Sequence, residues 1–313
     1  MKEIKNILIC GAGMMGKNIG YVFASNPSFQ VGMYDLYPTD VGAGIRTNTK
    51  QLLDKGVITE QELSDRLSRI SFTNDIDSDL VKNADLVIEA VFEDMKIKRE
   101  TFAKLEARCR PDTIFCTNSS VMSPSEISAE LQHRERFVGT HFWNPGHLIP
   151  LVEVVKSDAS SDEVAQTVME VLRSVGKKPV LCKKDVPGFI ANRMQHALWR
   201  EAISIVENGI ADAATVDEAV RYSFGLRLPQ LGPMENADMV GTDLTYNIHD
   251  YILRDLEDSH EPSPLLKEKV ERGELGFKTG GVGMQTWTAE EMKAYNDGLI
   301  TNLIKVGKAL ERF

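Results

Sequence analysis

The chain lacks the residues that would staple it covalently or carry it into a membrane. Its four cysteines, Cys10, Cys109, Cys116 and Cys182, are scattered over 313 residues without a CxxC pair. Neither a disulfide framework nor a paired-thiol metal site is expected, and free thiols in a reducing cytoplasm follow. No window approaches the ~20 apolar residues that a membrane span needs. The opening MKEIKNILICGAGMMG meets glycine too soon for a signal peptide. Positive charge is also in short supply: 36 Lys and Arg against 46 Asp and Glu leave a formal charge of −10. That balance argues against general nucleic-acid binding, while leaving room for a local basic pocket that holds a small phosphorylated molecule. Six histidines are present, and His141 and His147 lack the further ligands that a metal site would need. Internal repeats and low-complexity linkers are missing too.

What is there reads as two domains, since the length is generous for one. Apolar runs NILIC, QVGMYD, ADLVIEA, TIFCTNSS, RFVGTHF, PLVEVV and KPVLCK alternate with helical stretches such as EDMKIKRETFAKLEARC and SSDEVAQTVMEVLRSVG. That alternation predicts an α/β domain over residues 1–184, with a parallel, doubly wound Rossmann-type sheet. Residues 45–69 look like a two-helix insertion joined at Gly56. From DVPGFIANRM onward strand signals fade and apolar positions recur at helical spacing, so residues 185–313 are expected to form an all-helical domain. Thr215 and Glu218 fit a capping box at one helix start there.

ILICGAGMMGKNIG places Gly11, Gly13 and Gly16 directly after a strand and at the mouth of a helix. Gly11 permits the tight turn, Gly13 lets backbone approach a pyrophosphate at the helix N-terminus, and Gly16 lets helix and strand pack closely. Met14 and Met15 sit in the same turn and count with it as cofactor contacts. Asp35 ends the next strand, where an acid binds both ribose hydroxyls and repels a 2′-phosphate, so NAD is expected rather than NADP.

An NAD enzyme needs a proton acceptor. Among the histidines, His141 stands at the end of a predicted strand, where open α/β sheets keep their chemistry. Glu153, a carboxylate inside the run LVEVV, gains a use if it hydrogen-bonds the other ring nitrogen and supports the charged imidazole. Spacing alone leaves open a second arrangement, with His141 a satisfied loop residue and Glu153 facing solvent from an edge strand.

Eight segments taken in order, GAGMMG, ADLVIEAVFEDMKIK, TNSS, GTHFWNP, LVEVV, DVPGFIANR, LGPMENADMVGTD and LLKEKVERGELGFKTG, resemble the 3-hydroxyacyl-CoA dehydrogenases over nearly the whole chain. The resemblance implies that His141 is the catalytic base and Glu153 its partner. Ser119 would bond the substrate oxygen beside the nicotinamide, and Asn192 would help close the site from the second domain. Asn144, in the His141 loop, together with Glu93, Lys98 and Lys278, would serve the cofactor. Lys55 would meet the nucleotide phosphate of coenzyme A. A homodimer through the helical domain is implied as well.

The chain departs from the family at NPGHLIPLVEVV, where His147 and Pro150 replace a hydrophobic residue and a lysine. Trp143 stands where Phe is usual, and TNSS inverts the commoner NTSS, so that Thr117 or Asn118 becomes a candidate cofactor contact. The first expectation is NAD-dependent oxidation of a short L-3-hydroxyacyl-CoA to the 3-ketoacyl-CoA. The alternative is the same hydride chemistry on a free acid such as L-gulonate, carnitine or a pyridine carboxylate. A crystallin-like structural protein without activity is the third.

Overall fold

The computed structural model describes residues 3–312. Eight strands form one sheet in the order β3-β2-β1-β4-β5-β6-β7-β8. They are β1 (Asn6–Cys10), β2 (Gln30–Tyr34), β3 (Ile70–Thr73), β4 (Leu86–Glu89), β5 (Ile114–Thr117), β6 (Phe137–Phe142), β7 (Leu151–Lys156) and β8 (Lys178–Cys182). Every neighbouring pair is parallel except β6 and β7. Both faces of the central strands are buried, which is why they read as continuous apolar runs. Ile7, Ile9, Val31, Met33, Leu86 and Ile88 enter one core, and Leu8, Cys10, Tyr34, Val87 and Phe115 the other.

The covering helices are α1 (Met14–Phe23), α2 (Val41–Asp54), α3 (Glu60–Leu67), α4 (Asp79–Lys82), α5 (Met95–Glu106), α6 (Pro124–Ile127) and α7 (Asp162–Ser174). The inserted pair α2 and α3 begins earlier than the sequence suggests. The Asp40 side chain accepts from Ala43 N and starts α2 at Val41, and Gly56 turns the chain with a φ of 62°. Strand β3 escaped the sequence reading. It is four residues long, partly exposed and paired on one side with β2, so it carries neither a buried run nor a clear alternation.

The expected parallel, doubly wound sheet is present, with the antiparallel pair β6–β7 as its exception. Residues 143–150 join the two strands, and a parallel crossover needs a dozen residues or more. The direct return sets His141 opposite Glu153 in register. Lys177 holds this connection, its Nζ donating to the carbonyls of Gly146 (2.6 Å) and Ile149 (2.8 Å). Burial pushes the Lys177 ammonium down to about 8. Burial and the nearby Lys177 charge bring His147 down to about 4, so it packs as a neutral ring, its edge toward Tyr21.

Contacts divide the chain into residues up to Ala191 and residues from Asn192 onward, where the sequence placed a boundary between 184 and 185. Helix α8 (Ala191–Glu207) is followed by α9 (Ala213–Arg221), α10 (Phe224–Arg227), α11 (Pro233–Val240), α12 (Thr242–Ile252), α13 (Pro264–Glu271) and α14 (Ala289–Ala309). The expected cap at Thr215 is displaced. Asp212 caps α9 by accepting from Thr215 N, because an Asx residue three positions earlier takes the same orphan donors. Among the described residues no helix is long and apolar enough to cross a membrane.

The Lys177 pKa lies below its value of 10.5 in an unfolded chain, so its stabilising contribution is greatest above about pH 10.5 and is lost as pH falls toward 8. Urea unfolding of wild type and Lys177→Met across that window should give a difference that moves in favour of wild type as pH rises. A difference independent of pH would mean that Lys177 keeps an ordinary pKa.

Candidate active site

Functional candidates of the first unit gather at the carboxyl ends of the parallel strands, where an open sheet leaves its crevice. After β1, Gly11 turns with a φ of 106°, and a Cβ there would stand 2.5 Å from the Ala90 carbonyl oxygen. A Cβ on Gly16 would run into the carbonyl of Gly11, whereas one on Gly13 would meet nothing within 4 Å. Gly13 is also the N-cap of α1 and has no side-chain cap. Open space thus lies before uncapped helix N–H groups, which suits a pyrophosphate. Met14 is exposed, and Met15 packs against the core. Just past β2, Asp35 accepts from Ala12 N (2.7 Å) and Tyr37 N (3.2 Å), which ties it to the glycine turn. These residues fit NAD.

Two buried carboxylates organise the rest. Glu153, wholly buried in β7, receives four hydrogen bonds. Its Oε2 accepts from His141 Nδ1 (2.9 Å) and from the indole N–H of Trp143 (3.3 Å); its Oε1 accepts from the backbone N–H groups of Ile190 and Ala191 (both 2.9 Å). The last two are aimed by Gly188 and Phe189, consecutive residues at φ 76° and 51°. Phe189 packs its ring on His141, with centroids 5.8 Å apart, while Asp185 anchors the segment by accepting from the Ser123 hydroxyl and Ser125 N. Burial acts to raise the Glu153 pKa, but the donors, His141 foremost, outweigh it and hold the carboxyl below the usual range. Glu153 fixes Nδ1 of His141 and leaves Nε2 as the other ring nitrogen.

The second is Glu89, at the end of β4. Lys98 Nζ donates to Glu89 Oε1 at 2.8 Å and pairs with Glu93 Oε2 at 3.1 Å, and the Thr117 hydroxyl donates to Glu89 Oε2 at 2.6 Å. Burial pushes Glu89 up against these partners. Glu93 in turn accepts from the Ser119 hydroxyl and from Ser120 N. Partial burial acts to raise Glu93, and the Ser119 bond and the Lys98 charge more than reverse it. Ser119, Glu93 and Lys98 are therefore one connected group. Thr117 is turned inward to Glu89, and Asn118 Oδ1 accepts from Phe142 N (2.9 Å), tying β5 to β6 beside His141.

The remaining candidates lie on other segments. Asn144 is exposed on the loop after β6, and Lys55 is exposed at the C-cap of α2. Asn192, in the first turn of α8, and Lys278, in a 3-10 turn over Phe277–Thr279, belong to the second unit. Among the described residues no group of three or more His, Cys, Asp or Glu side chains could hold a metal ion.

The profile of the 3-hydroxyacyl-CoA dehydrogenase NAD binding domain matches residues 6–186, and that of the family's C-terminal domain matches residues 188–285. The chain belongs to the 3-hydroxyacyl-CoA dehydrogenase family. It is an NAD-dependent oxidoreductase of the CH–OH class. It is 38% identical to a probable 3-hydroxybutyryl-CoA dehydrogenase of Bacillus subtilis over 89% of this chain and 96% of that one. It is 33% identical to the 5-formyl-3-hydroxy-2-methylpyridine 4-carboxylate 5-dehydrogenase of Mesorhizobium japonicum over 98% of this chain and 99% of the relative. A solved structure of such a pyridine-carboxylate enzyme, described as an NAD+ dependent dismutase, superposes with a TM-score of 0.89 over 99% of both chains at 33% identity. The (S)-3-hydroxybutyryl-CoA dehydrogenase of Ralstonia eutropha gives 0.76 over 91% of this chain and all of its own, at 28% identity.

Sequence reasoning missed Glu89, the Trp143 indole and the backbone donors at Ile190 and Ala191. Glu89 carries the same signal as Glu153, a carboxylate in an apolar run, and was legible in ADLVIEA. Replacing Lys98 by Met would leave Glu89 buried without its cation, and breaking a buried pair from one side costs about 3–5 kcal/mol. Urea unfolding should show that loss, with partial recovery in Lys98→Met/Glu89→Gln. A single variant within about 1 kcal/mol of wild type would mean that the pair does not carry the stability assigned to it.

Proposed function

We propose that the protein oxidises a hydroxyl group to a carbonyl with His141 as general base and Glu153 as its partner. The observation that carries this reading is the Nδ1–Oε2 hydrogen bond of 2.9 Å between a buried imidazole and a wholly buried carboxylate held in its charged state. His141 takes the hydroxyl proton on Nε2, and the Glu153 charge stabilises the imidazolium that results. NAD, when bound, supplies the acceptor for the hydride that leaves the same carbon. Loss of the O–H proton and of the hydride from the carbon that bears the hydroxyl leaves a carbonyl. Ser119 turns its single hydroxyl proton from Glu93 to the substrate oxygen, while Glu93 keeps Lys98 and Ser120 N as partners. Asp35 receives the adenosine ribose, Gly11, Gly13 and Gly16 pass the pyrophosphate, and Met14, Met15 and Asn144 complete the cofactor contacts of the first unit.

The substrate in this reading is a small free acid with a hydroxyl or hydrated aldehyde group. The full-length likeness to the pyridine-carboxylate enzyme supports it, as does α14 (Ala289–Ala309), which lies beyond the end of the C-terminal family match at residue 285. A short L-3-hydroxyacyl-CoA is the second reading. The 38% identity to a probable 3-hydroxybutyryl-CoA dehydrogenase supports it, and so does exposed Lys55, available to a nucleotide phosphate.

His141→Gln should lower turnover by about 10²–10⁴, the span that a general base contributes, and leave NADH fluorescence titration unchanged. Near wild-type turnover would put the base elsewhere. NADH formation from L-3-hydroxybutyryl-CoA, 3-hydroxybutyrate, L-carnitine, L-gulonate and a pyridine hydroxymethyl carboxylate at equal concentration separates the two substrate readings. Turnover confined to free acids is expected; preference for the CoA ester, weakened by Lys55→Ala, would reverse the order. Turnover on any of them would dispose of a purely structural role.

A further inference from the structure

One side chain in the His141–Glu153 arrangement has no task in the reaction as described. The Trp143 indole N–H is directed at Glu153 Oε2, the same oxygen that accepts from His141 Nδ1, at 3.3 Å against 2.9 Å. The indole also lies against the imidazole, with ring centroids 5.4 Å apart and planes tilted by 52°. Trp143 follows β6 directly, so its position is fixed by the same strand that presents His141.

The surroundings make this shared oxygen the one adjustable point of the pair. Glu153 Oε1 is occupied by the two backbone N–H groups of Ile190 and Ala191, which do not titrate. From β8 the register partner of Glu153 is the apolar Val180. From the segment before α8 it is the Phe189 ring that lies on His141. Among the described residues no other ionisable side chain is hydrogen-bonded or ion-paired to His141 or Glu153.

A carboxylate oxygen divides its accepting power among its donors, and a hydrogen bond to a charged acceptor is stronger than one between neutral groups. When His141 is neutral, the indole donor relieves Glu153 of part of its unsatisfied charge. When His141 is protonated, the imidazolium wants that charge undivided, and the indole competes for it. Resting on the reading of His141 as the base, we propose that Trp143 is a positioning residue that acts through Glu153: its N–H weakens the support that Glu153 gives to protonated His141, and so favours the neutral imidazole that oxidation requires. A phenylalanine at this place would fill similar space without that effect.

The test removes the N–H with and without the ring. Trp143→Phe takes away both the donor and part of the volume. Site-specific incorporation of 3-benzothienylalanine at position 143 keeps the bicyclic shape and replaces the N–H by sulfur, which guards against a variant that merely packs badly. Nitrogen-15 NMR of the His141 ring in the ligand-free protein reads protonation without any substrate. The titration midpoint should move to higher pH by about half a unit to one unit in both proteins, a scale set by 1.36 kcal/mol per unit. The acid limb of kcat/KM for oxidation should move with it, a loss of roughly 3–10-fold at a fixed pH on that limb, with the high-pH plateau largely retained. An unmoved midpoint or an unmoved limb in the benzothienylalanine protein would overturn the proposal, whatever happens to kcat. Failure of the parent reading looks different, because it would appear as retained turnover in His141→Gln.

Discussion

A carboxylate kept charged where water does not reach it is the constraint around which the first unit is built. An isolated ion in that position would neutralise itself or destabilise the fold. Glu153 avoids both because four donors from two stretches of chain converge on it: His141 and Trp143 at the end of β6, and the N–H groups of Ile190 and Ala191. Each stretch has to be shaped for the purpose. The return from β6 to β7 runs antiparallel, which brings His141 and Glu153 face to face. Gly188 and Phe189 adopt successive left-handed conformations, which turn the following N–H groups inward. The two features are far apart in sequence and make sense together once the shared acceptor is identified.

Glu89 solves the same problem with different chemistry, and the contrast separates two roles. Its partner is an ammonium, Lys98, nearly as buried as itself. Lys98 reaches on to Glu93, which holds the Ser119 hydroxyl. Nothing in that chain has to change its charge, so it serves as a fixed platform. The principal partner of Glu153 is an imidazole, the side chain that can gain and lose a proton near neutral pH. Two carboxylates of like burial thus do unlike work because of what faces them.

This division also explains how much of the molecule could be read from sequence. The glycine turn was legible because Gly11 and Gly16 answer to backbone clashes and Gly13 to open space. His141 and Glu153 were legible as a pair worth suspecting, one at a strand end and the other out of place among Leu and Val. What made them a pair, the antiparallel register, was within reach from the short connection 143–150 but was overridden by the alternation of strands and helices around it. Strand β3 carried too weak a pattern. The cap at Asp212 was hidden by a better-looking Thr215–Glu218 motif, since residues compete for the same orphan N–H groups and sequence alone does not say which wins. Donors supplied by backbone, as at Ile190 and Ala191, leave no residue-type signature at all.

The substrate was the hardest to read for a related reason. Hydride chemistry needs a few atoms at fixed mutual positions, and strand register fixes them; a slip of one residue would send His141 to the opposite face. The loop from Trp143 to Pro150 obeys no such rule. Lys177 holds it by its carbonyls, through Gly146 and Ile149, and carbonyls are present whatever side chains the loop carries. A loop anchored through its backbone can exchange side chains without losing its place, so His147 and Pro150 can vary while His141 and Glu153 stay paired.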